Sequence, residues 1–443
     1  MNIQLSDHFT YKKLFLFTMP PIMMMIFTSI YSVVDGYFVS NYIGKTPFAA
    51  LNLIYPFIMI MSSVGFMFGA GGSALIAKSL GQKQPQKANM QFSLIVYTSI
   101  ILGVILALVG IIIIKPVASL LGAQGEMKDL CVLYATTILI ALPFFVLQFE
   151  FQSLFITAEK PKLGLWTTIA SGVTNMILDW LFIAIFNWGL AGAAIATALA
   201  QFVGGVIPLI YFSRKNSSLL RLSSTVFDSR TLIKTFTNGS SELMSNLSMS
   251  LVGMLYNIQL LKYAGEDGVS AYGVLMYVSM IFIAIFIGYS VGTAPVISFH
   301  FGAKKHSELK SLLKKSTLII SVTSVFMVLL GEVLAKPLSL LFVGYDKALL
   351  ELTQHGFVIY SFSFLFAGFA IFGSSFFTAL NDGLTSAVIS FLRTLVFQVA
   401  AILILPVIFD TDGIWYSLIV AEVLAVIVTV FFLFLKRKKY KYW

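Results

Sequence analysis

The chain has 443 residues, 58% of them hydrophobic and 11% charged, with a mean hydropathy of +0.92. A soluble protein carries about a quarter charged residues, so a water-soluble fold is excluded. The net charge of +10 is read as Lys and Arg gathered on one side of a membrane and not as a nucleic-acid footprint. The single cysteine, Cys131, leaves no internal disulfide and no Cys-based metal cluster.

At about 20 apolar residues per spanning helix, apolar stretches place twelve spans at about 14–39, 50–77, 91–114, 130–156, 163–186, 189–212, 235–261, 269–298, 316–335, 350–378, 385–409 and 412–435. Segments of this length in hydrocarbon must be helices, because every backbone polar group needs an internal partner. The polar start, Met1 to Lys13, leads into a full-length span without a small-residue cleavage site and reads as an uncleaved first helix. Of the 29 Lys and Arg, 22 fall at the termini or after even-numbered spans, six after odd-numbered spans, and Arg393 within a span. Both termini are therefore expected on the cytoplasmic side. The run Lys436-Arg437-Lys438-Lys439 is expected to lie against anionic headgroups.

A constant offset of 221 relates the two halves. Lys115-Pro116-Val117 recurs as Lys336-Pro337-Leu338, and Leu80-Gly81-Gln82-Lys83 as Phe301-Gly302-Ala303-Lys304. Gly71 matches Gly292, Ala158 matches Ala379, and Gly192 matches Gly413. Six spans is an even number, so the copies enter the membrane from the same side as parallel repeats. A substrate site is expected where they meet. The predicted organisation is an N-lobe (1–212), a cytoplasmic linker (213–234) and a C-lobe (235–443) with a basic tail.

The repeat also supplies an internal control, because a polar residue serving only the shared scaffold should appear in both halves. Asp35 corresponds to Tyr256, Asp179 to Ala400, and Asn175 to Val396. Acids at membrane depth cost at least ~2.5–3.5 kcal/mol on insertion scales and usually face a cavity with a role. Tyr31 and Asp35, Asn175 and Asp179, and Thr197 and Gln201 are each four apart on one helix face. These six are predicted to share one polar pocket, with Gln201 as polar support. A carboxylate pair in a poorly solvated pocket suits loading and release of a proton, and the neighbouring Asn and Thr oxygens also suit Na⁺. The structural alternative is that each acid only ties helices together.

In the C-lobe, Glu242 and Arg393 lie seven or eight residues into spans that start at the cytoplasm. They are candidates for an inner gate, the alternative being that Arg393 snorkels to headgroups. Glu150 and Glu422 are read as solvated carboxylates near cytoplasmic helix ends, and His355 as lying near an outer end. No histidine has a second ligand at metal-site spacing, and no cofactor is expected beyond the coupling ion.

Three segments carry a family resemblance: Phe151-Gln152-Ser153 with Ala158-Glu159-Lys160-Pro161; Asn175 to Asp179; and Gly189-Leu190-Ala191-Gly192-Ala193-Ala194-Ile195-Ala196-Thr197. Together they resemble the signature of the multidrug and toxic compound extrusion family. Val34-Asp35-Gly36-Tyr37-Phe38-Val39 is similar to that family's first-helix motif. The resemblance implies an all-α membrane protein of twelve helices in two six-helix repeats, alternating access, and efflux of organic cations or amphipathic drugs against inward H⁺ or Na⁺. It places the N-lobe cation site of prokaryotic members on Tyr31, Asp35, Asn175, Asp179 and Thr197. One branch carries an acid deep in the tenth helix. Here Glu351 lies at the outer end and Phe357 to Phe377 holds no acid, so the branch of DNA-damage-inducible and staphylococcal-type efflux members fits better. A monomeric carrier in a bacterial plasma membrane is expected.

Alternatives fare less well. A lipid-linked oligosaccharide flippase of the same superfamily should have a basic central cavity, yet Arg393 is the one basic residue well inside a span. A major-facilitator carrier usually has an Asp-Arg pair between its second and third helices, where this chain reads Gly81-Gln82-Lys83-Gln84-Pro85. No nucleophile–base pair or phosphate loop points to an enzyme.

Overall fold

The computed structural model describes residues 3–443, which form helices joined by short turns, with no strand among them. Helix α1 (Tyr11–Phe38) starts at Thr10, whose hydroxyl accepts from Lys13 N at 3.3 Å, and ends in a π-helical turn, Val39–Ile43. Then come α2 (Lys45–Gly81) and α3 (Pro85–Leu120). Helix α4 has two segments, Gly125–Ile140 and Leu142–Thr157, bent by 59°. Helix α5 (Pro161–Asp179) runs into a second π-turn, Trp180–Ile185, and α6 is Gly189–Ser213.

The second half repeats the pattern. The stretch Ser229–Gly302 is broken at Gly265 (φ 64°) into α7 and α8, a left-handed conformation that glycine adopts without steric cost. Helix α9 is His306–Val343, and α10 comprises Lys347–Ser361 and Phe364–Ala379, bent by 47°. Gly383–Tyr440 holds a third π-turn, Leu392–Val396, and a break at Asp410 (φ 50°) that separates α11 from α12. Eight continuous apolar helices and two bent pairs make ten spans. The breaks at Gly265 and Asp410 divide two of them, which gives the twelve that hydropathy predicts.

The duplication is visible in the backbone. The α4 bend at Ala141 and the α10 bend at Phe362 are 221 residues apart, and so are the left-handed Lys83 (φ 59°) and Lys304 (φ 55°). The lobes meet chiefly through α1 on α8 and through α2 on α7 and α8. On the face that bears both termini, a Cβ on Gly81 would lie 2.0 Å from Phe299 O, and one on Gly302 would lie 2.2 Å from Lys78 O. Gly81 and Gly302 are repeat mates, as are Lys78 and Phe299. The terminal face is thus closed by two equivalent backbone contacts that only glycine admits.

Both termini reinforce that face. Leu5 N donates to Glu159 Oε1 in the N-lobe (2.6 Å), while Lys315 Nζ of the C-lobe donates to Phe9 O (2.6 Å) and His8 meets Glu308 at 2.6 Å. At the other end, Tyr440 donates to Asp382 Oδ2 (2.8 Å), Lys436 lies 3.5 Å from the same carboxylate, and Tyr442 is buried against Phe376. Lys436 is therefore engaged by protein, where the sequence led us to expect lipid headgroups. The connector 214–228 lies along α3: Arg221 N donates to Asn89 Oδ1 (2.8 Å) and Ser223 N to Ser93 Oγ (2.9 Å). Helix α7 begins at Ser229, inside the stretch that composition marks as linker.

Candidate functional site

Helices α1, α2, α4, α5 and α6 of the N-lobe, with Tyr277 and Met280 of α8, enclose a cavity of about 360 Å³. The four-residue spacings on α1, α5 and α6 turn Tyr31 and Asp35, Asn175, and Thr197 and Gln201 toward it, and all five line its wall. Asn175 Nδ2 donates to Thr197 Oγ1 at 3.4 Å. Asp179, one turn beyond Asn175, is not part of the lining. It is fully buried behind the wall, where it meets Asp35.

The cluster holds several buried oxygens that its own donors leave unpaired. Asp35 Oδ1, Asn175 Oδ1, both carboxylate oxygens of Asp179 and Gln201 Oε1 are buried with no hydrogen-bond partner among the described residues. Buried polar atoms are nearly always paired, and an unpaired buried carboxylate is costly. A proton or a small hard cation is the species that satisfies such oxygens.

Sequence reasoning passed over three further lining residues, Tyr55 on α2 and Tyr134 and Gln148 on α4. The repeat carried the signal for the last, because the mate of Gln148 is Phe369. Each π-turn adjoins a singled-out residue: Val39–Ile43 follows Asp35, Trp180–Ile185 follows Asp179, and Leu392–Val396 contains Arg393. None of the three is 221 residues from another. π-Turns mark sites where function has departed from a regular helix.

The C-lobe holds a second cavity, about 330 Å³, that shares Thr28, Ser29 and Met280 with the first. Glu242 and Arg393 both line it, but the direct ion pair of Arg393 is with Glu422. Nε and Nη2 bond the carboxylate at 2.8–3.0 Å. Neighbouring helices α11 and α12 bring this pair face to face, whereas Glu242 stands on α7. Arg393 does not snorkel, and its side chain is 14% exposed. The reading of Glu422 and Glu150 as solvated is also corrected, since they are 1% and 0% exposed. Distance to a helix end was the wrong guide there: Glu422 faces α11, and Glu150 faces α3, accepting from Ser99 Oγ. At the mate of Asp35, Tyr256 stacks on Tyr272 with ring centroids 5.2 Å apart. His355 pairs with Asp412 at 2.8 Å, and no cluster of three His, Cys, Asp or Glu fit for a metal occurs among the described residues.

The chain is similar to known proteins throughout. The profile of the family described as MatE matches residues 20–181 and 243–403, once in each lobe. The multidrug export protein MepA of Staphylococcus saprophyticus is 25% identical over 438 residues, covering 97% of this chain and 94% of that protein. MepA of a Staphylococcus aureus strain is 24% identical over 431 residues, with the same coverage. The fold matches a MATE crystallised in complex with MaL6 (TM-score 0.92, 21% identity, 98% of each chain). It also matches a structure described as the outward-facing conformation of a multidrug resistance MATE family transporter of the MOP superfamily (TM-score 0.90, 22% identity, 98% of this chain and 97% of that one). With the family profile falling once on each of two six-helix lobes, the chain belongs to the MatE family of membrane transporters.

Proposed function

We propose that the chain is a secondary active multidrug antiporter that exports cationic or amphipathic compounds in exchange for inward H⁺ or Na⁺ by alternating access. The observation that carries this reading is the set of unpaired buried oxygens around Asp35 and Asp179, built beside a cavity that adjoins the second lobe at Thr28, Ser29 and Met280. The export activity in the names of the MepA relatives supports the drug class.

In this mechanism the termini are cytoplasmic, as the Lys and Arg distribution predicts, so the face closed by Gly81 and Gly302 is the inner one. Asp35 and Asp179 then lie toward the outer side. A cation entering from outside neutralises or bridges their carboxylates and removes the desolvation cost that otherwise opposes tight packing. Helix α1 is the element placed to respond. It carries Asp35 next to a π-turn and the buried Pro20-Pro21 pair in its first half, where missing backbone donors permit a bend. Bending there moves Thr28 and Ser29, which border both cavities, and so links ion loading to the space open to a drug. Tyr31, Asn175 and Thr197 orient the carboxylates, and Gln201 supports them. The transporter works as a monomer in a prokaryotic plasma membrane.

Asp35→Asn is expected to abolish resistance to cationic dyes while expression is unchanged. Efflux from vesicles under an imposed pH gradient, then an imposed Na⁺ gradient, identifies the coupling ion. Undiminished efflux by Asp35→Asn would sink the mechanism.

A further inference from the structure

We propose that the C-lobe cavity is a recognition site for zwitterionic amphiphiles, with the free Nη1 edge of Arg393 receiving the compound's carboxylate and Glu242 its ammonium group. The inference rests on the efflux reading and deepens it by naming a substrate class and a lobe.

Three observations carry it. First, the ion pair with Glu422 uses only part of the guanidinium. Nε and Nη2 are engaged, while Nη1 makes no hydrogen bond to protein among the described residues. It is not among the sealed, unpaired polar atoms, and Arg393 lines the cavity. Glu422, itself 1% exposed, fixes the planar fork in place and leaves the Nη1 edge without a protein acceptor, an edge that suits a carboxylate.

Second, Glu242 lines the same cavity without a salt-bridge partner of its own among the described residues. The cavity therefore presents one engaged cation with a spare donor edge and one unengaged anion on different helices. Tyr256, Tyr272, Met276 and Met280 line the same cavity, aromatic and thioether surface that accepts varied apolar bodies. A monocation finds a partner only at Glu242. A molecule with both charges finds two.

Third, none of the three charges belongs to the shared scaffold. The N-lobe mates of Arg393, Glu242 and Glu422 are Gly172, Pro21 and Gln201. The constellation is specific to one half, and its polarity is unlike that of the cluster in the other, which holds carboxylates and no cationic side chain.

The test is equilibrium binding to the purified full-length chain in detergent, read by fluorescence polarisation. The probes are rhodamine B, a zwitterion, and its ethyl ester, a permanent cation of nearly the same shape. No ion gradient is involved, so a failure of the antiport reading does not obscure the result. For the unsubstituted protein we expect rhodamine B to bind several-fold tighter than the ester. In the double variant Arg393→Met/Glu422→Met, which leaves no orphaned buried charge, the zwitterion-to-ester affinity ratio should fall about ten-fold. Arg393→Lys keeps the charge next to Glu422 but removes the spare planar edge, and should lower the same ratio if the double variant does not fold. Glu242→Gln should weaken both probes. An unchanged ratio in the arginine variants, or an unsubstituted protein that prefers the ester, overturns the proposal.

Discussion

The two lobes descend from one six-helix unit and share its bends and turns, yet they handle charge in opposite ways. The N-lobe holds a half-buried Asp35 and a buried Asp179, of which Asp35 Oδ1 and both Asp179 oxygens are buried without a hydrogen-bond partner among the described residues. The C-lobe buries Glu422 with a guanidinium clamped onto it and fills the place of Asp35 with Tyr256 stacked on Tyr272. One cavity leaves buried oxygens without a partner, and the other supplies its own counter-charge. Duplication alone yields two equivalent halves. The contrast shows where the two copies have diverged in polarity, and it underlies the proposals of a small-cation site in one lobe and a site for larger molecules in the other.

The contrast can be broken most severely at Glu422. Glu422→Ala leaves Arg393 uncompensated in a buried setting and should cost about 3–5 kcal/mol, read from thermal unfolding in detergent. Gln201→Ala at the mate position should cost no more than about 1 kcal/mol, because Gln201 Oε1 already lacks a partner. Equal losses at the two positions would show that the lobes do not differ as described.

A substitution at the inner closure tests what the lobes still share. Gly81→Val and Gly302→Val each press a side chain into backbone of the opposite lobe and should cost about 1–3 kcal/mol apiece, by equal amounts. Labelling of a cysteine introduced beside the clasp, with Cys131 replaced by alanine, should rise in both. A difference of more than about 1 kcal/mol between them is incompatible with closure by repeat mates.

The smallest effect is expected at the start of the C-lobe. Asp228 caps α7, accepting from Arg230 N at 3.0 Å and Thr231 Oγ1 at 2.6 Å, bonds that hold its carboxyl below the usual range. Asp228→Ala should cost about 0.5–1 kcal/mol. Because the folded value is lowered, this contribution is present above the ordinary aspartate range and is lost as pH falls through the lowered value.

Much of this was legible in the chain itself, for reasons that differ by region. The spans are long, apolar and separated by polar turns, so hydropathy found all twelve, including the pairs that run together across Gly265 and Asp410. The angle in α10 was invisible, because Phe362 does not break an apolar pattern, whereas Pro143 beside the α4 bend was a signal that hydropathy passes over. Asp35 and Asn175 could be found because acids and amides in hydrocarbon are scarce and the repeat shows that these two are not scaffold, and Thr197 and Gln201 because their four-residue spacing puts them on one helix face. Asp179 was expected in the same pocket, but it sits one layer behind the wall, and depth within a helix bundle is not encoded in spacing along one helix. The partner of Arg393 was missed for a related reason: linear position ranked Glu242 above Glu422, although facing helices decide which carboxylate the guanidinium meets.

The paired glycines at the terminal face carry a consequence for leakage. Gly81 on Phe299 and Gly302 on Lys78 are the same clasp made twice about one axis. Rotation of one lobe against the other strains both clasps together, so neither opens while its twin stays shut. Under the proposed antiport, a passage released this way would have no half-open form through which ions slip uncoupled, and the transition would behave as a single cooperative step. Symmetry inherited from a duplication would then guard against wasting the gradient.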